Sequence, residues 1–178
     1  MVGMNASIRP AVDSDYQAVQ VFYDQLTEDL EKEPYHPCWT RGVYPGESYL
    51  RGSIAAGELY VAEVCGRIAA AMVVNESANE GYLSADWNTQ AAPGEFSVIH
   101  TLGVGTSYRK QGIGRRMIHH AIQHALRAGH KAVRLDLIDH NLPAAPVYTK
   151  AGFVPCGSLR LFYDAVGWRT FYLFEYVL

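Results

Sequence analysis

The segment that decides the fold is VGTSYRKQGIGR, residues 104–115. An apolar stretch that predicts a strand precedes it, and a stretch with helical periodicity follows it. The first turn of a helix exposes unpaired N–H groups and carries a partial positive charge. Glycine at 112 and 114 lets a ligand approach that backbone closely. Four basic side chains lie beside it: Arg109, Lys110, Arg115 and Arg116. The segment therefore predicts a binding site for a pyrophosphate.

Two common nucleotide motifs do not fit this segment. The GxxxxGK[ST] pattern of a P-loop is absent. The dinucleotide fingerprint GxGxxG needs a third glycine at the position of Met117. Taken alone, the R-x-x-G-x-G pattern of residues 109–114 is also compatible with a loop of solvated charges at a helix start.

The patterns on either side predict the element order β-α-α-β-β-β-α-β-α-β-β. The strands are expected over 7–12, 58–64, 67–75, 96–104, 132–139, 153–162 and 168–177. The first helix is expected to end near residue 31, and three further helices are expected over 47–56, 112–128 and 143–151. A hairpin followed by strand–helix–strand units predicts an α/β fold with a mixed sheet covered by helices. The length of 178 residues suits one domain over 1–178, with residues 1–6 as a candidate disordered segment.

Composition narrows the classes of function. The formal net charge of −3 disfavours a general nucleic-acid binder. No apolar run approaches the roughly 20 residues that span a bilayer, and the N-terminus lacks a signal-peptide pattern. The three cysteines are far apart and form no CxxC, which disfavours a disulfide framework or a zinc site and favours a cytoplasmic protein. His120 and His124 have a spacing that could bind metal, but HExxH is absent, so no metal is expected.

A second segment gives the anion site a family context. Residues 109–114 resemble the [RQ]-x-x-G-x-[GA] signature of the GNAT family of N-acetyltransferases. Residues 141–153, NLPAAPVYTKAGF, resemble the family's N-x-x-A-x-x-[LV]-Y-x-K-x-G-F block. The element order fits the family from about Ser7 to Val177. The resemblance implies a GNAT-like acyl-CoA N-acyltransferase fold: a central, mostly antiparallel sheet with a splayed strand pair, flanked by helices.

The same resemblance implies a reaction. Acetyl-CoA would be the co-substrate, and its acetyl group would pass to a primary amine of a small molecule or peptide by direct attack in a ternary complex. The open alternatives are a non-catalytic module that binds or senses acyl-CoA and a transferase for another acyl-CoA.

The resemblance also assigns residues to the cofactor. The backbone of Leu102, Gly103 and Val104 would pair with the pantetheine arm, with the Val104 N–H near the thioester carbonyl. Backbone amides from Gln111 to Arg115 would hold the pyrophosphate. The full implied set is Leu102, Gly103, Val104, Arg109, Lys110, Gln111, Gly112, Ile113, Gly114, Arg115, Asn141 and Tyr148. For Asn141, a local turn at a strand end is the alternative.

Two residues are candidates for moving protons. Tyr148 matches the family tyrosine that faces the sulfur, where a protonated phenol can donate to the departing thiolate. His100 shares one phase of its strand with Phe96, Val98, Leu102 and Val104, and a neutral imidazole there could take a proton from the amine. The alternatives are a tyrosine packed by its ring and a hydrogen-bonded core histidine.

Acceptor specificity is expected in two loops, residues 33–46 and 76–94. Aromatic walls with one carboxylate would suit an ammonium-bearing molecule, and Tyr35, Trp39 and Trp87 are the candidates. Alternatively, these aromatics only pack the loops onto the sheet. Near the C-terminus, one strand phase carries an aromatic set that predicts core or a homodimer face: Trp168, Tyr172, Phe174 and Tyr176.

Overall fold

The computed structural model describes residues 6–178. The strands are β1 (Ser7–Pro10), β2 (Leu59–Val64), β3 (Arg67–Asn75), β4 (Phe96–Val104), β5 (Ala132–Ile138), β6 (Val154–Tyr163) and β7 (Gly167–Val177). The α-helices are α1 (Tyr16–Leu30), α2 (Glu47–Ala55), α3 (Ile113–Ala128) and α4 (Ala145–Thr149). Short 3-10 segments lie at Asp13–Asp15, Glu80–Ser84, Thr106–Tyr108 and Asp139–Ala144. The predicted order of strands and helices is confirmed.

The candidate disordered segment, residues 1–6, falls outside the described residues except for Ala6. That residue is buried, and its carbonyl accepts a hydrogen bond from the Arg116 guanidinium at 2.5 Å.

The seven strands have the order β1-β2-β3-β4-β5-β7-β6. Strand β4 pairs with β5 in parallel, from Phe96 opposite Ala132 to Val98 opposite Arg134. The pairs β1–β2, β2–β3, β5–β7 and β6–β7 are antiparallel. The mixed sheet predicted from the element order and the mostly antiparallel sheet implied by the family resemblance are therefore confirmed.

The chain forms two compact units. The first contains the described residues up to Pro34 together with Trp39–Val74 and His100–Met117. The second contains Tyr35–Cys38, Asn75–Ile99 and Ile118–Leu178. The single domain over 1–178 stays a prediction.

The core of the first unit forms around the apolar face of α1. Val19, Phe22 and Leu26 follow the helical period and are buried. The other members of this core come from the first loop, α2, β2 and β3: Ala11, Tyr16, Tyr23, Leu50, Ile54, Leu59, Val61, Ala71 and Val73. Burying each large apolar side chain stabilises the fold by about 1.5–3 kcal/mol.

A buried ion pair organises the second unit. Arg134 Nε donates to Glu175 Oε1 at 2.9 Å, and the two side chains are 3% and 0% exposed. The Thr89 backbone bonds to both partners, because its carbonyl accepts from Arg134 at 2.8 Å and its N–H donates to Glu175 at 3.0 Å. The Arg134 guanidinium also lies 4.3 Å from the centre of the Trp87 ring. This pair therefore fixes the long loop between β3 and β4.

The C-terminal aromatic set does not share one environment. Phe174 is buried, Trp168 is 61% exposed, and the other two members are half-buried. Among the described helices, none combines the length and the hydropathy needed to cross a membrane.

Candidate functional site

The turn between β4 and α3 presents unpaired backbone donors. The N–H of Arg116 donates to the Gly112 carbonyl at 3.1 Å, so the helical hydrogen bonds begin there. The N–H groups of Ile113, Gly114 and Arg115 precede that bond and have no acceptor within the helix. Gly112 has φ +79°, and a Cβ added to it would meet nothing within 4 Å. The exposed face of this backbone is therefore open to a ligand.

The C-terminal half of α1 and the residues after it hold this turn. Thr106 Oγ1 donates to Asp29 Oδ2 at 2.8 Å, and Arg109 donates to Glu33 Oε1 at 2.5 Å. The Thr106 hydroxyl holds the pKa of Asp29 below its usual value. Among residues 6–178, Lys110 and Arg115 form no ion pair, so their positive charges are available to an anion. The sequence placed four basic side chains here but did not reveal that Glu33 engages one of them.

Strand β4 is irregular at Thr101, which has φ +50°. A β-branched residue rarely adopts a left-handed conformation. The buried Tyr23 hydroxyl donates to the Thr101 carbonyl at 2.9 Å and so holds the chain there. The regular alternation predicted from residue 96 to 104 is thus interrupted, although His100, Leu102 and Val104 share a half-buried environment. These three candidate residues lie in the first unit.

Gly103 is required for close packing rather than for conformational freedom. A Cβ at this position would collide with Leu26 and would lie 3.4 Å from the Trp39 ring. The Trp39 ring also meets the Tyr23 ring edge-on, with the centroids 5.7 Å apart. Trp39, predicted as an acceptor residue, therefore packs against the core of the first unit.

Tyr148 lies in α4 of the second unit and is 8% exposed. Its ring meets the Phe153 ring edge-on at 6.0 Å, and among residues 6–178 no group hydrogen-bonds to its hydroxyl. Burial raises the pKa of Tyr148, and the negative charge of Asp136 raises it further. The phenol therefore stays protonated at neutral pH. Asn141, half-buried, lies in the 3-10 segment before α4.

The remaining acceptor candidates differ in accessibility. Tyr35 is 57% exposed, and its ring lies 6.0 Å from the ring of His140. Trp87 is half-buried, and its indole N–H donates to the Tyr82 carbonyl at 2.9 Å. Trp87 therefore helps to hold its loop, whereas Tyr35 is open to solvent.

Sequence reasoning missed one polar cluster of the second unit. Asp136 on β5 accepts hydrogen bonds from the hydroxyls of Tyr82 and Tyr163, at 2.9 Å and 2.6 Å. A carboxylate within the apolar strand pattern AVRLDLI was the available signal, but its two partners lie on distant segments of the chain.

Histidines do not form a metal centre in the part of the chain that the structure describes, where no group of three or more His, Cys, Asp or Glu could hold an ion. His120 and His124 are half-buried. Burial lowers the pKa of each imidazole, and the positive charge of Arg127 lowers it further.

Comparisons with known proteins identify the family. The model of a family described as Acetyltransferase (GNAT) family matches residues 20–153. A curated relative, the N-alpha-acetyltransferase RimI of Mycobacterium tuberculosis, is 33% identical over 87 residues, which are 49% of this chain and 52% of the relative. The match thus spans about half the length of the curated relative.

Solved structures support the fold along nearly the whole chain. An acetyltransferase of the GNAT family from Listeria monocytogenes has a TM-score of 0.75 at 18% identity, with 99% of this chain and 97% of that chain covered. The structure described as yncA from Salmonella typhimurium with its cofactor acetyl-CoA has a TM-score of 0.69 at 16% identity, covering 98% and 94%.

Proposed function

Because this chain belongs to the GNAT family of acetyltransferases, we propose that it transfers the acetyl group of acetyl-CoA to a primary amine of a small molecule or peptide. The acceptor attacks directly in a ternary complex, without an acyl-enzyme. The observation that carries the proposal is the start of α3, where three consecutive N–H groups lack helical acceptors beside a left-handed glycine. Such a helix start binds phosphate groups through its backbone donors and its dipole.

The turn has the chemistry that a pyrophosphate needs. The amides from Gln111 to Arg115 supply the donors, while Lys110 and Arg115 supply positive charge that no described acidic side chain neutralises. Charge-assisted hydrogen bonds to phosphate oxygens are the stronger kind. This turn would therefore hold the diphosphate of coenzyme A, and Asn141 is a further candidate contact.

Strand β4 would orient the thioester. The backbone of Leu102, Gly103 and Val104 would pair with the pantetheine arm, and the Val104 N–H would donate to the thioester carbonyl. The Tyr23–Thr101 hydrogen bond supports this role because it fixes the strand just before these residues.

Two side chains would move the protons. As the new C–N bond forms and the C–S bond breaks, Tyr148 would donate its hydroxyl proton to the departing thiolate. Its buried ring and protonated state support this role. His100, whose neutral imidazole can accept a proton, would take one from the attacking amine. Tyr35, whose side chain is exposed, would contact the acceptor.

A transfer assay tests the proposal. The purified protein is incubated with acetyl-CoA and a panel of n-butylamine, phenethylamine and peptides with free amino termini, and thiol release is measured. Peptides belong in the panel because the curated relative is an N-alpha-acetyltransferase. We expect acetyl-CoA to raise the Tm and at least one amine to drive thiol release. Binding of acetyl-CoA without release by any amine would favour the non-catalytic module, and faster release from propionyl-CoA or butyryl-CoA would favour another acyl donor.

A further inference from the structure

Thr101 on β4 has a backbone conformation that threonine rarely adopts. Among residues 6–178, four residues other than glycine have a positive φ, and Thr101 alone is β-branched and alone lies inside a strand. Its φ is +50°, and the residue is buried. A left-handed β-branched residue is costly and persists only where the surrounding structure holds it. Thr101 therefore needs a partner, and it directly precedes the backbone of residues 102–104.

The Tyr23 side chain of α1 is that partner. Its hydroxyl donates to the Thr101 carbonyl at 2.9 Å and lies 3.3 Å from the Thr101 hydroxyl. Tyr23 is buried, and the Phe22 and Trp39 rings meet its ring edge-on, with centroids 5.2 Å and 5.7 Å away. Burial raises the pKa of Tyr23, so the hydroxyl keeps the proton that it donates. A buried donor on a fixed ring thus holds the left-handed residue of β4.

One face of α1, continued by the residues after it, follows the proposed cofactor segment. The contact positions on this face are three or four residues apart, as expected for neighbours along one side of a helix. Two contacts reach the strand and two reach the turn, in chain order: Tyr23 with Thr101, Leu26 with Gly103, Asp29 with Thr106, and Glu33 with Arg109. The strand contacts lie beside the segment proposed for the pantetheine arm, whereas the turn contacts hold the segment proposed for the diphosphate.

We infer that Tyr23 is a positioning residue for acetyl transfer, because its hydroxyl keeps Thr101 left-handed and thereby orients the backbone of residues 102–104 toward the thioester end of the cofactor. The inference rests on the proposed function and adds to it a residue of α1 that acts on the cofactor only through Thr101. A left-handed residue in a strand interrupts the regular alternation of peptide groups and redirects those that follow. Without the Tyr23 hydroxyl, Thr101 would return to an extended conformation, and the amides after it would turn away.

Replacing Thr101 with glycine gives a direct test of this mechanism. Glycine adopts a left-handed conformation about as readily as an extended one, so it needs no hydroxyl to hold it there. If Tyr23 acts only by holding Thr101, its hydroxyl becomes dispensable in the Thr101→Gly background. A tyrosine that contributed only to core packing would have the same effect in both backgrounds.

Ligand binding measured by calorimetry tests the inference without relying on turnover. The two ligands are acetyl-CoA and adenosine 3′-phosphate 5′-diphosphate, which is the nucleotide half of the cofactor without the pantetheine arm. Tyr23→Phe, which keeps the ring, should weaken acetyl-CoA binding about tenfold and leave nucleotide binding within about twofold of wild type. The double variant Tyr23→Phe/Thr101→Gly should recover acetyl-CoA affinity to within about threefold of wild type. The control Tyr16→Phe removes a hydroxyl about two turns earlier on α1 and should change neither affinity.

The two ligands and the double variant separate positioning from a general loss of structure. An acetyl-CoA affinity in Tyr23→Phe equal to that of wild type would overturn the inference. Equal weakening of acetyl-CoA and the nucleotide would also overturn it, because the effect would then not be confined to the strand. A double variant that binds acetyl-CoA no more tightly than Tyr23→Phe would contradict the role of Thr101.

Backbone NMR and kinetics separate the inference from the proposed function. The backbone chemical shifts of Thr101 should change from left-handed to extended values in Tyr23→Phe. With the best amine of the panel, kcat of this variant should fall about tenfold or more, because the thioester is misplaced. Unchanged Thr101 shifts would overturn the inference and leave the acetyltransferase proposal intact. Absence of acetyl-CoA binding by the wild type would instead overturn the proposed function, and the Thr101 shifts would still decide whether Tyr23 sets the conformation of the strand.

Discussion

The turn at residues 104–116 and the carboxylate site of Asp136, Tyr82 and Tyr163 differ in how the chain builds them. The turn uses consecutive residues, and its donors are the N–H groups of one helix start. The carboxylate site gathers side chains from β5, from the loop before β4 and from β6. A site built from consecutive residues depends on backbone conformation, whereas a site built from distant segments depends on the packing that holds those segments in place.

The largest expected effect is a loss of stability when the buried ion pair of the second unit is broken. Arg134→Ala should lower the free energy of unfolding by about 3–5 kcal/mol, because it leaves the Glu175 carboxylate buried without its partner. Urea denaturation measures the change. The control Arg169→Ala removes an exposed pair with Asp139 and should cost about 1 kcal/mol or less. Equal losses in the two variants would show that the buried pair does not organise this unit.

The next effect concerns the proposed proton donor. Tyr148→Phe should lower kcat about 100-fold, because a positioned general acid contributes about that much or more. The Kd for acetyl-CoA, measured by calorimetry, should stay within about twofold. Tyr176→Phe is a matched control, since the Tyr176 ring also packs against Phe153. A Tyr148→Phe enzyme with normal turnover and weakened acetyl-CoA binding would assign this tyrosine to binding instead.

A glycine pair tests the local character of the turn. Gly112→Ala places an alanine in a left-handed conformation, which costs roughly 1–2 kcal/mol. A shift of the turn backbone would relieve this strain. We expect acetyl-CoA to bind about tenfold more weakly, which corresponds to about 1.4 kcal/mol. Gly129→Ala, with φ +75° and equally open space beyond the other end of α3, should cost similar stability without changing acetyl-CoA affinity. If both variants weaken binding equally, the effect is general strain.

The smallest effect concerns charge near the turn. Glu33→Gln frees Arg109 from its ion pair and removes a negative charge beside the anion site. The Kd for acetyl-CoA should fall about two- to fivefold at low salt, and the difference should shrink as salt screens the charges. Glu47→Gln breaks an exposed pair with Arg51 on α2 and should leave the Kd unchanged. A higher Kd for acetyl-CoA in Glu33→Gln would show that the ion pair is needed to orient Arg109.

Several features could be predicted from sequence because their causes are local. The bounds of β4 agree with the prediction, and α3 begins one residue later than predicted. Both elements could be located because the apolar period and the flanking glycines are local signals. Thr101 could not be foreseen, because its left-handed conformation is held by the Tyr23 hydroxyl from a helix 78 residues away in sequence. Glu33 was missed for the same reason, as its partner Arg109 is 76 residues away.

The two loops that were expected to bind the acceptor show most clearly what the sequence could not predict. The sequence predicts aromatic walls and one carboxylate for these loops, and the second loop contains both Trp87 and an acidic residue next to it, Asp86. In the structure Asp86 is exposed, Trp87 holds the loop, and the carboxylate beside the rings is Asp136 on a strand. The acceptor residues stay a prediction, because the pairing of these side chains depends on how β5, β6 and the loop pack.

The sequence by itself determined the order of elements, the family and the helix start that would hold an anion, because backbone periodicity, glycine and adjacent charges act over a few residues. Only the tertiary structure decided which carboxylate two phenols contact, which arginines and tryptophans are already engaged, and which tyrosine hydroxyl has no partner in the described chain. Those properties depend on contacts between segments that are distant in sequence, and burial sets their electrostatics.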